Sequence, residues 1–286
     1  MLYRLYEREA FLAGSRPPFI PSFSGRVKRF LRFPAPVNTE NSQLISIIFP
    51  LYNEEENVIH YNKDLFPVID AIGKELGETF EYIFVDDGSA DGTVERISGI
   101  AGTRTDTKVI VHERNRGMGN AIKTGLAECS GELVITMDAD LTFRPMDVEK
   151  LIRKYRETGA DCVSGSPYLE KGLLEEVTPF RLLMSRTVNL LYRVLLGSSI
   201  TCVSPIFRLY RLAALREMEI TSQNFEINAE IISKLIIRKK RVAEVPVPLL
   251  KRKFGNSKIN VRKEIKNYVA LLFKIFKTKY LHQPWV

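Results

Sequence analysis

An α/β fold on a mostly parallel sheet is predicted for this 286-residue chain by three observations. From Leu44 to about Glu157, apolar runs of strand length alternate with amphipathic stretches of helix length, the pattern of strand–helix–strand units with helices on both faces of a sheet. Each of the first four runs ends in polar, turn-forming residues rich in Asp, Asn and Gly. The composition, 45% hydrophobic and 27% charged, is that of an ordinary globular protein, so a full core can be buried.

Taken in order, Ile45–Leu51 reads as a buried strand and Glu54 to about Leu76 as a helix. Phe80–Asp86 is the second strand, and Asp91-Gly-Thr-Val-Glu-Arg-Ile opens the second helix. Lys108–His112 is the third strand and Gly119–Cys129 the third helix. A fourth strand begins at Leu133 and runs into Asp138, and its helix runs from Pro145 to about Glu157. The second half is less regular. It offers a short strand at Asp161–Gly165, a strong helix at Pro179–Leu196, a strand at Ile206–Tyr210 and a helix at Asn228–Lys240. Val242–Pro248 reads as an edge strand, because prolines cannot donate ladder hydrogen bonds. Arg262–Tyr280 is a last helix with Ile265, Tyr268, Val269, Leu272, Phe273, Phe276 and Tyr280 on one broad face and lysines on the other.

The fourth strand ends in two carboxylates one residue apart, Asp138 and Asp140. On an extended segment they project to the same side, and two oxygen ligands on one side suit Mg²⁺ or Mn²⁺ shared with substrate phosphates. The plainer alternative is a polar turn with an N-capping Asp. In open α/β sheets ligands collect beyond the carboxyl ends of the strands. There the first strand carries Pro50-Leu-Tyr52-Asn-Glu54-Glu-Glu-Asn57 and the second Asp86-Asp87-Gly88-Ser-Ala-Asp91-Gly92, carboxylate-rich ends suited to the N–H and O–H groups of a base or ribose. Asp91 is equally suited to capping its helix. After the third strand, Asn115-Arg-Gly-Met-Gly119-Asn-Ala with Lys123 reads as an anion site at a helix N-terminus. Four such strand ends in order make a nucleotide site. Near the C-terminus, Arg252-Lys-Phe-Gly-Asn-Ser257-Lys258 is either a solvated basic face or a clamp for phosphates.

A net charge of +8 and a pI near 9.3 imply an anionic partner: nucleic acid, a phosphorylated ligand or an anionic membrane. Cys129, Cys162 and Cys202 fit neither a disulfide framework nor metal spacing, and read as reduced thiols of a cytosolic protein. No signal-peptide core and no apolar stretch of spanning length is present, so a soluble or peripheral protein is expected. Residues 1–43 stand apart: Arg4, Arg8, Arg16, Arg26, Lys28, Arg29 and Arg32 are interleaved with aromatics and broken by prolines. They read either as a partly disordered tail or as a basic, aromatic arm lying on a membrane or on the domain.

Phe49-Pro-Leu-Tyr-Asn-Glu-Glu-Glu-Asn-Val58, Val85-Asp-Asp-Gly-Ser-Ala-Asp-Gly-Thr93, Asn115-Arg-Gly-Met-Gly-Asn-Ala121 and Asp138-Ala-Asp140 together resemble the motifs of family 2 glycosyltransferases, nearest to dolichyl-phosphate mannose synthases and related polyprenyl-phosphate glycosyltransferases. The resemblance spans roughly residues 44–260. It implies a GT-A fold, that of nucleotide-diphospho-sugar transferases: a three-layer sandwich over residues 44–261, with an N-terminal arm (1–43) and a C-terminal basic helix (262–286). It implies transfer of a mannose or glucose, with inversion, from a GDP- or UDP-hexose to a polyprenyl phosphate, on the cytoplasmic face of a membrane and with no role for nucleic acid. Residue by residue, Pro50, Tyr52 and Glu54 would meet the nucleoside. Asp87 would accept from the base, with Asp86 supporting its turn, and Gly119 and Lys123 would lie near the nucleotide. Asp138 and Asp140 would hold Mg²⁺ or Mn²⁺, with Thr142 as a third ligand. Arg181, Ser185 and Asn189 match a helical stripe, Glu230 an acidic position, and Arg252, Ser257 and Lys258 a late loop closing on phosphates.

Three departures from the pattern bear on the acceptor. Thr142 stands where many relatives have Gln, Pro167 where many have Arg, and Cys202-Val-Ser-Pro-Ile-Phe207 replaces an Asp and a Ser-Gly-Phe. The alternatives are a family 2 enzyme with a hydroxyl acceptor, for which Glu226 and Glu230 are candidate bases, and a non-catalytic nucleotide-sugar-binding scaffold. A nucleotidyltransferase is disfavoured, because the first strand ends in Tyr-Asn-Glu-Glu-Glu rather than a basic glycine loop.

Overall fold

The computed structural model describes residues 43–175, 177–255 and 261–285. The expected arm at 1–43 therefore lies outside the described residues, apart from Gln43. Seven strands form one sheet: β1 (Leu44–Leu51), β2 (Thr79–Asp86), β3 (Thr107–Val111), β4 (Leu133–Thr136), β5 (Cys162–Ser166), β6 (Arg208–Arg211) and β7 (Val242–Pro246), in the order β3-β2-β1-β4-β6-β5-β7. All neighbours pair in parallel except β6, which runs antiparallel to both β4 and β5. The proline-bearing β7 is an edge strand, as its missing N–H groups require.

The strands read as unbroken apolar runs because both faces are covered. Along β1, Ile45, Ile47, Phe49 and Leu51 point into one core layer, while Ile48 points into another. The first layer is closed by α3 (Phe66–Leu76), α4 (Thr93–Ala101) and α6 (Val148–Thr158), through Ile69, Ile72, Ile97, Leu151 and Ile152. The opposite face is closed by α5 (Met118–Ala127), α7 (Pro179–Leu196), α8 (Leu212–Arg216), α9 (Ile227–Ile237) and α10 (Val261–Tyr280), through Ala121, Ile122, Tyr192, Leu215, Ile231 and Ile275. Cys129, Cys162 and Cys202 are free and buried, and burial pushes the thiols of Cys129 and Cys162 up to about 12.

Two expectations are corrected. The helix expected from Glu54 to Leu76 is three pieces, α1 (Glu55–Val58), α2 (Tyr61–Asp64) and α3, and the second break falls where Pro67 has no N–H to continue a helix from the preceding turn. The fourth strand ends at Thr136, so Asp138 and Asp140 sit in a turn and not on an extended segment. The turn reverses at Leu141, whose φ of 52° is the left-handed conformation. The two carboxylates come together by turn geometry, not by strand alternation.

Candidate active site

The loops after β1, β2 and β4, with the late loop after β7, meet beyond the carboxyl ends of the central strands. The first two are laced together: the Asn53 N–H donates to Ser89 Oγ (2.8 Å), the Ala90 N–H to Asn53 Oδ1 (2.8 Å) and the Glu54 N–H to Thr93 Oγ1 (2.8 Å). Asp91 accepts from the Thr93 N–H at 3.0 Å just ahead of α4, but the N-cap position is Gly92 and carries no side-chain cap, so the expected capping by Asp91 is not found. Asp86 is fully buried and accepts from the backbone N–H (2.9 Å) and the hydroxyl of Ser89, so it supports the turn. Gly88, at φ 74°, lies so close to Arg114 that a Cβ would stand 2.4 Å from its carbonyl carbon. Pro50 and Tyr52 are half-buried at the end of β1.

The β4 turn is held from behind by Tyr61, whose buried hydroxyl donates to the Ala139 carbonyl at 2.7 Å. The Thr142 N–H donates to Asp140 Oδ1 (3.1 Å), and the Leu250 N–H donates to the Thr142 carbonyl (3.0 Å), tying the late loop to this turn. Arg252 reaches over the top. Its Nη2 donates to both carboxylate oxygens of Glu54, and its Nε lies 3.2 Å from Asp140 Oδ2. Phe254 stacks on His60, ring centroids 4.3 Å apart. Thus one guanidinium joins the end of β1 to the acidic turn.

The electrostatics of the acidic turn are those of buried carboxylates in need of a counter-charge. Burial, reinforced by the neighbouring charge of Asp140, raises the Asp138 carboxyl well above the usual carboxylate range. Its Oδ2 is buried without a hydrogen-bond partner. Burial also raises Glu54, an effect the Arg252 cation opposes. A buried, partnerless carboxylate oxygen beside a second carboxylate is costly unless a cation is shared between them. The residues therefore fit a hard divalent ion. Among the described residues no three His, Cys, Asp or Glu converge as an all-protein cage.

Several expected contacts are redirected. Asp87, 3% exposed, has its oxygens taken by the Arg116 N–H (2.9 Å), the Gly117 N–H (2.7 Å) and His112 Nδ1 (2.7 Å). It pins the glycine loop to β2 rather than presenting an open acceptor to a base. Glu54 is likewise engaged by Arg252 and by Asn57 Nδ2 (2.6 Å), because a buried carboxylate needs a counter-charge. Gly119 is not an open anion site: its N–H donates to the Gln223 carbonyl at 2.8 Å, and a Cβ there would stand 2.6 Å from the Gln223 carbonyl carbon. The N-terminus of α5 is plugged by another part of the same chain. Burial lowers Lys123, which feels the charges of Glu230 and Glu226.

Glu230, fully buried, accepts from Thr221 N–H (3.0 Å), Ser222 N–H (2.7 Å) and Lys234 Nζ (2.7 Å). Burial alone would raise it, but these donors hold it below the usual range. Ser185 Oγ accepts from the Tyr168 hydroxyl (2.7 Å), and Asn189 Oδ1 accepts from the Val203 N–H (3.1 Å). Arg181 falls one turn before Ser185 on α7, but its side chain lies outside the described residues, as do Ser257 and Lys258. Tyr61 and Gln223 escaped sequence reasoning. The first is a single aromatic residue, and the second acts through its backbone.

The chain belongs to glycosyl transferase family 2, whose family model matches residues 46–219. It is 31% identical over 241 residues to a dolichol-phosphate mannosyltransferase of Saccharomyces cerevisiae, covering 82% of this chain and 88% of that protein. Against a dolichol-phosphate mannosyltransferase of Pyrococcus furiosus it is 31% identical over 235 residues, 82% of this chain but 64% of the relative. An undecaprenyl-phosphate 4-deoxy-4-formamido-L-arabinose transferase of Salmonella paratyphi A matches at 30%, with 75% and 62% covered. The chain thus spans less than two thirds of the length of the latter two. Its fold is shared with glucosyl-3-phosphoglycerate synthase of Mycobacterium tuberculosis solved with Mn²⁺, UDP and glucosyl-3-phosphoglycerate (TM-score 0.60, 19% identity, 82% of this chain and 79% of that one). A structure of the same synthase with Mg²⁺ and UDP matches at TM-score 0.59.

Proposed function

We propose that this glycosyltransferase moves a hexose, mannose or glucose, from a GDP- or UDP-sugar to a polyprenyl phosphate while docked on the cytoplasmic face of a membrane. The phosphate oxygen attacks the anomeric carbon as the bond to the nucleoside diphosphate breaks, in one in-line displacement that inverts the centre. Asp138 and Asp140, with Thr142, would hold Mg²⁺ or Mn²⁺, which supplies neutralising charge for the leaving diphosphate. Pro50 and Tyr52 flank the nucleoside, Asp86 and Asp87 shape its loop, and Lys123 lies beyond it. Arg252, with Arg181, Ser257 and Lys258, supplies the donors that hold two anionic reactants together.

One observation carries the choice of acceptor: neither acidic candidate for a general base is available. Glu230 is saturated by backbone donors and Lys234. Glu226, 9% exposed, is engaged by the N–H groups of Gln223 and Asn224 (3.3 Å each) and by Asn267 Nδ2 (3.1 Å). A hydroxyl nucleophile needs such a base, whereas a phosphomonoester is already an anion near neutral pH. The membrane reading rests on chemistry as well: no helix among the described residues is long and apolar enough to cross a bilayer, yet α10 exposes Ile265, Val269, Phe273, Phe276 and Tyr280 beside Lys266, Lys274 and Lys277. Of its apolar face, Tyr268 and Leu272 pack inward, together with Leu271 and Ile275.

The test offers GDP-mannose and UDP-glucose, with Mg²⁺ or Mn²⁺, to a short-chain polyprenyl phosphate and to the corresponding alcohol. Transfer to the phosphate alone is expected, with Arg252→Ala raising the acceptor KM and Glu226→Gln staying within a few-fold. Transfer to the alcohol, with a basic-limb ionisation lost in Glu226→Gln, would instead establish a hydroxyl acceptor.

A further inference from the structure

Helix α7 carries chemistry that the transfer reaction does not use. Arg186 and Arg193 lie seven residues apart, two turns along one edge of the helix. Both are exposed, and among the described residues neither has an ion-pair or hydrogen-bond partner. They line a hollow of about 300 Å³ whose other walls include Tyr168, Asn189, Ile200 and Thr201. Ile200 and Asn189 are buried, so the floor is preformed. Two strong cationic donors over a half-apolar hollow match a phosphate attached to an apolar body.

The surroundings say which one. Next to the arginine edge, α7 exposes Leu183 (63%), Leu190 (48%), Leu191 (50%) and Val194 (69%). Helix α10 packs beside it, with the Tyr192 hydroxyl donating to the Tyr268 carbonyl (2.9 Å) and Lys279 Nζ to the Leu195 carbonyl (2.9 Å). The exposed apolar stripes of the two helices therefore share one side of the molecule, with the arginine hollow on the α7 margin and lysines on the α10 margin. Exposed apolar surface of this kind marks an interaction site, and cationic margins select an anionic bilayer as its occupant.

We propose that the Arg186–Arg193 hollow binds the phosphate headgroup of an anionic phospholipid in the bilayer on which α7 and α10 rest. This rests on the membrane-docked reading above, and the hollow adjoins the acceptor stripe: Tyr168, which meets Ser185, and Asn189 also line it, while the two arginines lie on the adjoining edge of the helix. The site fixes the rotation of the enzyme on the surface, which apolar burial and diffuse charge do not.

The test uses the full chain and dihexanoyl phosphatidylglycerol below its micellar concentration, read by thermal shift. A saturable rise in Tm is expected with this lipid and not with dihexanoyl phosphatidylcholine. It is expected to vanish in R186Q/R193Q and to survive in K274Q/K277Q, which removes the same charge elsewhere. On vesicles containing phosphatidylglycerol, the arginine pair is expected to contribute about 25-fold in affinity, about 5-fold per cation at an anionic surface. Inorganic phosphate or glycerol phosphate raising Tm as well as the lipid would mark a soluble-anion site and overturn the proposal. So would an unchanged response in R186Q/R193Q, or no response in the parent. Vesicle binding that persists without any short-chain lipid response would sink the hollow and leave the docked reading standing. Failure of sugar transfer to a detergent-dispersed acceptor would sink the acceptor reading without touching the hollow.

Discussion

Asp87 separates two accounts of the nucleotide loop. If it meets a base directly, Asp87→Ala costs nucleotide affinity and little else. In the structure it costs stability first. The carboxylate is 3% exposed and receives three hydrogen bonds, from Arg116 N–H, Gly117 N–H and His112 Nδ1, at 2.7–2.9 Å. Truncation leaves the buried Gly117 N–H and the part-buried Arg116 N–H without partners, a loss of about 1–3 kcal/mol for a fully buried donor and less for the other. It also frees the ring of His112, which the Thr124 hydroxyl still holds at 2.9 Å. Allowing for relaxation of the loop, a loss of about 3 kcal/mol is expected, a large part of a typical total of about 5–15 kcal/mol. With a urea m-value of about 3 kcal/mol/M, the midpoint falls by about 1 M. Nucleotide binding weakens as a consequence, because the Asn115–Gly117 loop loses its anchor. The assay is urea unfolding without ligand, paired with calorimetry for UDP and GDP. An Asp87→Ala protein with an unchanged midpoint but lost nucleotide binding would refute the pinning role and restore direct base contact.

Three further outcomes are expected. Asp140→Asn lowers turnover by at least about 10²-fold, the scale of a lost electrostatic stabiliser, with the fold retained by circular dichroism; full activity of that variant in EDTA would end the metal assignment. Gly119→Ala pushes a methyl group to 2.6 Å from the Gln223 carbonyl carbon, so α5 parts from the 222–223 segment and Tm drops by several degrees; an unaltered Tm would show that the segment gives way freely. Glu264, on the first turn of α10, has its carboxyl raised from 4.5 to about 7 by burial and then by the charge of Glu226, with Oε2 buried and unbonded. The folded state therefore binds the extra proton, and this contribution to stability is complete below about 4.5 and lost as pH rises through about 7. Glu264→Gln should match the parent in Tm at pH 4.5 and exceed it at pH 8; a parallel pH profile for the two proteins would contradict the assignment.

The first strands and the turns at their ends were legible in the sequence. Ile45–Leu51, Phe80–Asp86 and Lys108–His112 announce buried strands, because a strand covered on both faces has no polar alternation to hide its apolar run. The turn chemistry at their ends is local too: Asp91 accepts from Thr93 two residues on, Gly88 turns where no Cβ fits, and Asp138 and Asp140 are close whatever the exact backbone path. Tertiary structure alone decided how those groups are used. The antiparallel insertion of β6 between β4 and β5 has no signature in a four-residue strand. Gln223 stops the N-terminus of α5 with a backbone carbonyl, which any residue type supplies. Arg252 meets Glu54 across 198 positions, and Asp87 meets Gly117 across 30. Periodicity and turn propensity act over a few residues, so they locate carboxylates and cations along the chain. Which carboxylate is left open for a metal, and which is consumed by a buried donor, depends on the neighbours that packing brings to it.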